Sequence, residues 1–282
     1  MLTRLFRLAD ELYQKSTHFL LELLQNADDN SYDVAEPSVS LTYKNRCLRV
    51  DCNERGFNQQ NVEAICRVGS STKAGSDRAT TYVGEKGIGF KSVFKAADVV
   101  WIASNSYTFK FDKRQVLGMI APIWETFPEP TTPSVTSILL QLSPAYDEKE
   151  LLSDLKQFDP RMLMFLRRLK RVKIAIYEAG STWETTLRKS VGTRNKERAI
   201  ELIQDEKVMR YLVSSYEATN LPNEPRRPGA TQSEIMLAFP DIVDQSPVEA
   251  QKVYAFLPVR DYGFKVRSTA SPTPASMLAN PV

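Results

Sequence analysis

The sequence predicts an α/β chain of the α+β kind. Apolar residues recur at helical spacing over the first thirty residues, and hairpin-like strands follow. A glycine-rich loop then runs into a helix before a further series of strands. At 282 residues the chain has room for one large domain or two of ordinary size. Hydrophobic residues at 42% and charged residues at 25% are those of a soluble globular protein, and a net charge of +3 is too small to argue for a polyanion partner.

From Leu2 to Asp29 the apolar positions Leu5, Leu8 and Leu12, then Phe19, Leu20, Leu23 and Leu24, predict two helices. They separate near Ser16 and Thr17, which could cap the second helix. NADDNSYDVAEP breaks the pattern with turn formers. SVSLTYKNRCLRVDCN predicts two strands around the turn Lys44, Asn45, Arg46, and Asn58 to Val68 a helix. GSSTKAGSDRATT, residues 69 to 81, has no face to bury, and a loop of that length in a compact domain is usually functional or disordered.

VGEKGIGFKSVFKAAD is a glycine loop leading into a helix, and VVWIAS, YTFKFD and SVTSILLQLS are strands. DEKELLSDLKQFDPRMLMFLRRLKRVKIAIYE predicts two helices and a strand, and WETTLRKSV another strand. KERAIELIQDEKVMRYLVSSYE fits neither period well enough to assign. EIMLAFP and QKVYAFLPVRD are late strands, and the chain from Ser268 onward is expected to be unstructured.

Residue counts exclude several chemistries. Cys47, Cys52 and Cys66 have no CxxC spacing and predict reduced thiols in an intracellular protein, nuclear or cytoplasmic. His18 is the one histidine, so a multi-histidine metal site is excluded and a Ser-His-Asp triad could be built only around it. No apolar run approaches the roughly 20 residues of a membrane span.

Residues 83 to 92, VGEKGIGFKS, carry nearly the letters of a P-loop, but Phe90 between Gly89 and Lys91 puts the spacing wrong by one residue. A P-loop also follows a buried strand directly, whereas a long polar loop precedes Val83. In FLLELLQNADDN, residues 19 to 30, Glu22, Asn26 and Asp29 share one face of a helix whose buried side is Leu20, Leu23, Leu24 and Ala27. A side-chain oxygen such as that of Asn26 can complete the shell of Mg²⁺, and a carboxylate one turn away can deprotonate a water. The same pattern also describes a solvated polar face. In DCNERGF, residues 51 to 57, an acid or amide at a strand end precedes a glycine turn, which suits an adenine amino group and is also a common turn.

Taken together, ExxxNAxD on a helix, a strand ending in an acid-amide-Gly turn, and a long polar lid ending in GxxGxGFKS resemble the GHKL ATPases (gyrase, heat-shock chaperone, histidine kinase, MutL). HFLLELLQNADDNSY, CNERGF, VGSSTK, VGEKGIGFKSVF and YAFLPVRDYGF resemble its eukaryotic sacsin- and NO VEIN-like branch, over roughly residues 8 to 266. The resemblance implies a Bergerat fold, a two-layer sandwich with helices on one face of a mixed, mostly antiparallel sheet. It implies ATP and Mg²⁺ held between the helices and a mobile lid, residues 69 to 82.

By position, Glu22 resembles the family's water-activating base and Asn26 its Mg²⁺ ligand, and Asp29 falls where a polar residue approaches the nucleotide. Gly84, Gly87 and Gly89, with Ile88 and Phe90 between and after them, resemble the loop whose backbone N–H groups wrap the phosphates. Lys86 and Lys91 add positive charge beside it, as phosphate contacts or as surface lysines. Thr136 resembles a strand threonine that holds adenine through water. The family's adenine-reading aspartate stands four residues before its second glycine, where this chain has Cys52 before Gly56. Asp51 and Asn53 are both candidates for that role, and Glu54 replaces the first glycine.

The expected organisation is an ATP-binding domain over 1–175, a continuation or incomplete second domain over 176–267, and a disordered tail over 268–282. The chain is expected to stop short of a following domain that in relatives often supplies a catalytic Lys or Arg. The leading expectation is a slow, Mg²⁺-dependent ATPase module of a chaperone-like or regulatory protein, with a protein client or a second copy as partner. The alternative is a degenerate scaffold that binds nucleotide weakly or not at all. Neither a membrane nor direct nucleic-acid binding is expected.

Overall fold

The computed structural model describes residues 17–66, 88–194, 197–220, 232–241, 251–255, 257–264 and 267–270. The first predicted helix, the polar loop 69–81 and the glycine loop as far as Gly87 lie outside the described residues.

Helix α1, His18–Asp29, forms where the sequence predicts it and buries Phe19, Leu20, Leu23, Leu24 and Ala27 along one stripe. Thr17 occupies the N-cap position but does not cap the helix. Its hydroxyl lies 2.5 Å from Asp154 Oδ2 and donates to that carboxylate instead of accepting from the first-turn N–H groups. The helix ends as Asn30 turns extended.

Strands β1 (Ser38–Lys44) and β2 (Cys47–Cys52) form the predicted hairpin. Both residues of its loop, Asn45 and Arg46, have positive φ (50° and 58°), which gives the twist that a two-residue turn needs. Arg46 is held there through Nη2, which donates to the Ser143 and Tyr146 carbonyls. Helix α2 is Gln59–Cys66. After the undescribed loop come a four-residue helix α3, Ile88–Lys91, and a 3₁₀ turn, Ser92–Lys95.

Strands β3 (Ala97–Ser104), β4 (Tyr107–Asp112), β5 (Ile123–Trp124) and β6 (Thr136–Leu142) come next. Helix α4, Glu148–Lys156, is capped by the Asp147 side chain, and a 3₁₀ turn follows at Pro160–Phe165. The remaining strands are β7 (Arg171–Glu178), β8 (Ser181–Arg194), β9 (Glu197–Gln204), β10 (Lys207–Thr219), β11 (Gln232–Pro240), β12 (Gln251–Ala255), β13 (Leu257–Phe264) and β14 (Arg267–Ala270).

The segment left unassigned is thus the hairpin β9–β10, turning at Asp205 with φ of 52°. Its Glu, Ala, Leu and Lys residues favour a helix intrinsically, and pairing on both sides overrides that preference. The tail expected to be unstructured from Ser268 also needs correcting. Residues 268–270 belong to β14 and pair with Ile235–Leu237, because β11 offers them an open edge.

The strands join in one mixed sheet in the order β13-β12-β14-β11-β10-β9-β8-β7-β1-β2-β6-β3-β4-β5. Among the described residues β1–β7 and β12–β14 pair parallel and the other neighbours antiparallel, as expected of a mostly antiparallel sheet. Alternate residues of the strands, including Val39, Leu41, Leu48, Val50, Ile174 and Leu187, share one core with α1, α4 and both 3₁₀ turns. We call this the inner face. On the outer face a smaller cluster of Ala103, Phe127 and Leu139 forms where residues near Phe127 cross β3 and β6.

Candidate functional site

The site is built from α1 upward. With its leucines turned inward, α1 leaves Glu22 and Asn26 half-buried, one turn apart. The Glu22 side chain retains 19% of its exposure and its Oε1 stands 3.8 Å from His18 Nε2. Burial first, and then the charge of Lys95, hold His18 below its ordinary pKa, so the ring beside Glu22 is neutral at pH 7. The Asn26 carboxamide has no hydrogen-bond partner among the described residues.

The structure brings the end of the glycine loop onto this carboxylate. A Cβ at Gly89 would overlap Glu22 Oε2, so a side chain there and the carboxylate in its present rotamer exclude each other. Phe90 packs against the core and stands 6.5 Å from the Phe111 ring. The Ile88 backbone opens α3, and its side chain is outside the described residues. Gly84, Lys86 and Gly87 are outside them altogether.

Lys91 ends α3 and turns toward residues 111–119. Its ammonium donates to the Met119 carbonyl and stands 4.6 Å from the centroid of the Phe111 ring. Burial pulls its pKa down to about 8, against an opposing effect of Cys66. No carboxylate pairs with it among the described residues.

Asp29 is buried at the end of α1, where its carbonyl accepts from Arg168 Nη1 at 2.8 Å. Its neighbour Asp28, which sequence reasoning did not single out, is only 1% exposed. The Asp28 carboxylate accepts from three backbone N–H groups, those of Arg167, Arg168 and Leu169, at 2.7 to 2.9 Å. It ties the C-terminal end of α1 to the turn before β7. Nothing in the spacing of ADD marks the first acid over the second, because the N–H donors come from residues some 140 positions away.

The candidate adenine readers do not join Glu22 and Asn26. Asp51 alternates with Val50 and Cys52 and so faces outward, where Arg49 Nε (2.9 Å) and Ser137 Oγ (2.6 Å) donate to it. Asn53 Oδ1 accepts from Ser38 N at 2.7 Å, and its Nδ2 donates to the Glu36 carbonyl, so its carboxamide fastens the start of β1. Both line a shallow outer-face trough of about 460 Å³ together with Ser38, Ser40, Arg171 and Arg188.

Cys52 faces inward, paired across the sheet with Thr136. Its thiol contacts Tyr32 Oη at 3.1 Å, and burial raises its pKa to about 12, so it stays protonated. The hydroxyl of Thr136 is 2.6 Å from Ser104 Oγ, which in turn accepts from Phe57 N at 2.8 Å. That chain links β6, β3 and the 53–57 turn. Gly56, at φ of +84°, is where the turn meets Asn105, since an added Cβ would lie 2.5 Å from the Asn105 side chain. Asn105 Nδ2 donates to the carbonyls of Arg55 and Phe57, both at 3.1 Å.

Among the described residues no group of three or more His, Cys, Asp or Glu side chains could hold a metal. The half-buried carboxamide of Asn26, unpartnered among the described residues, could offer one oxygen to Mg²⁺, an ion that keeps several waters and takes few protein ligands beside substrate phosphates. No helix among the described residues is long and apolar enough to cross a membrane.

No protein-family model matches the chain. The chain is 33% identical over 288 aligned positions to Protein NO VEIN of Arabidopsis thaliana, and the alignment covers 92% of this chain and 10% of that protein. It therefore spans about a tenth of the length of the curated relative to which it is similar.

Proposed function

We propose that the chain is an ATP-binding module of the GHKL type, with a Bergerat arrangement of helices over the inner face, that hydrolyses ATP slowly with Mg²⁺. The observation that carries the reading is the meeting of Gly89 with Glu22, beside an Asn26 without a partner among the described residues. Loop backbone and helix carboxylate converge there, as a terminal phosphate and its attacking water require.

In this reading Glu22 accepts the proton of the attacking water. Asn26 would hold Mg²⁺ through its carboxamide oxygen, and the ion would supply positive charge against the phosphates. The resemblance implies that backbone N–H groups at Gly84, Gly87 and Gly89 would wrap the phosphates, and Lys91, two residues beyond Gly89, would add a cation. Thr136 borders the base. Burial keeps the His18 ring from adding a positive charge beside Glu22.

A second reading, a scaffold that binds nucleotide weakly or not at all, is favoured by one observation. Asp51 and Asn53 are both committed to protein partners, and Cys52 is protonated in the position between them. Calorimetric titration of the protein with ATP and Mg²⁺, alongside Asn26→Ala, separates the two. Saturable binding that Asn26→Ala abolishes supports the ATPase reading. Absence of binding in the wild type supports the scaffold.

A further inference from the structure

Lys91 sits between the candidate phosphate loop and an unusual piece of surface. Val116 is 93% exposed, Leu117 63% and Met119 48%, and all three lie on the turn between β4 and β5. Among the described residues the backbone bonds of 116–121 stay close to home: Gly118 N donates to Gln115 O, and Ile120 N and Ala121 N to Leu117 O. Leu117 has a φ of 56°, uncommon for a bulky side chain. Among the described residues the hydrogen bond that reaches this turn from another element comes from Lys91 to the Met119 carbonyl. A turn that buries so little apolar surface draws its order from few interactions, and removing one changes its opening equilibrium directly.

The other end of that bond is poorly satisfied. An ammonium has three donors, and among the described residues Lys91 has one carbonyl and one aromatic face, with no carboxylate. A phosphate oxygen is the stronger acceptor, because a bond between two ionised groups is roughly twice as strong as one between neutral groups. Lys91 stands two residues beyond Gly89, in the same helical turn.

We propose that Lys91 is a latch shared by two acceptors: without nucleotide it holds the 117–121 turn by the Met119 carbonyl, and a phosphate bound beside Gly89 takes it over and frees that turn. Nucleotide occupancy is thereby reported on a patch of exposed apolar side chains outside the pocket. The proposal rests on the ATP-binding reading. It is also reciprocal: whatever stabilises the ordered turn weakens phosphate binding by the same factor.

Hydrogen exchange at the amides of Gly118, Ile120 and Ala121, with and without Mg²⁺-ATP, tests it when calorimetry is run on the same samples. Saturating nucleotide is expected to speed exchange at these amides by about fivefold or more, the lower range of ordinary coupling. In Lys91→Met exchange should be fast from the start and unmoved by nucleotide, while Lys91→Arg, which keeps a cation, should behave as wild type. Binding without a change in exchange overturns the latch and leaves the ATP reading standing. Equal exchange in wild type and Lys91→Met without nucleotide also overturns it. Failure to bind nucleotide overturns both.

Discussion

Gly89 meets Glu22 so closely that a Cβ there would overlap Glu22 Oε2 and stand 3.3 Å from its Cδ. The two residues are 67 positions apart, one in α1 and one in α3, and the contact fixes where the carboxylate sits. A side-chain end can swing away at little cost, so Gly89→Ala is expected to fold normally, with stability within about 1 kcal/mol of wild type. The displaced carboxylate would no longer face the loop, and ATP turnover should fall at least about tenfold. In a Glu22→Gln background the same substitution should cost nothing further. Steady-state phosphate release and a thermal melt on the four proteins check this. An added loss in the double variant would show that Gly89 acts other than through Glu22.

Glu22→Gln alone keeps the side chain's shape and removes its basicity. Turnover is expected to drop by about 10² to 10⁴, the range for a positioned general base, with ATP affinity nearly unchanged. Hydrolysis at the wild-type rate would remove Glu22 from the mechanism.

Lys91 gives the pH dependence. Its folded pKa is lowered from 10.5 to about 8, so between those values the unfolded chain binds more protons than the folded one. Stability from this group therefore rises as pH increases from 8 to 10.5, and below 8 the charged, buried ammonium is at its most costly. Lys91→Met should melt above wild type at pH 7, by a margin that shrinks toward pH 10. For ATP the sign reverses. A phosphate beside Lys91 raises its pKa again, so binding above pH 8 takes up a proton and weakens as pH rises. Calorimetry at pH 9 in two buffers of different ionisation enthalpy should show that uptake in wild type and lose it in Lys91→Met. No uptake in wild type would place Lys91 away from the phosphates.

Much of this was legible in the sequence because it is local. The stripe of Leu20, Leu23 and Leu24 fixes which side of α1 is buried, and so leaves Glu22 and Asn26 on the other. Alternation in SVSLTYK and CLRVDC fixes the hairpin and its polar turn. What was not legible depends on partners distant in the chain. Asp28 and Asp29 read alike until the N–H groups of 167–169 single out Asp28. ERAIELIQ has the propensities of a helix and becomes a strand because β8 and β10 flank it. Thr17 looks like a cap until Asp154 arrives from α4.

Asp28 is accordingly expected to matter for the fold. Asp28→Ala would leave three N–H donors, that of Leu169 buried and those of Arg167 and Arg168 part-buried, without their acceptor and should destabilise by roughly 3 kcal/mol. Asp28→Asn keeps one acceptor oxygen and should lose less. Urea unfolding of both variants measures the difference, and a loss under about 1 kcal/mol for Asp28→Ala would mean that water replaces the carboxylate freely.

Asp51 and Asn53 make opposite predictions from the same trough. Asp51 faces away from α1, with Arg49 and Ser137 on the outer face, so Asp51→Asn should leave ATP affinity unchanged within about twofold. The carboxamide of Asn53 joins the 53–57 turn to the start of β1 through Ser38 N and the Glu36 carbonyl. Asn53→Ala deletes both bonds and should cost about 1 to 3 kcal/mol of stability, with any loss of affinity following from the loosened turn. Measuring affinity for ATP and for GTP in the two variants identifies a base reader, because a residue that accepts from the adenine amino group discriminates against GTP and its loss erases that preference. An unchanged ATP/GTP ratio in both would assign Asp51 and Asn53 to holding the sheet together. A ratio that collapses in Asp51→Asn would mean that the nucleotide lies on the outer face, away from Glu22.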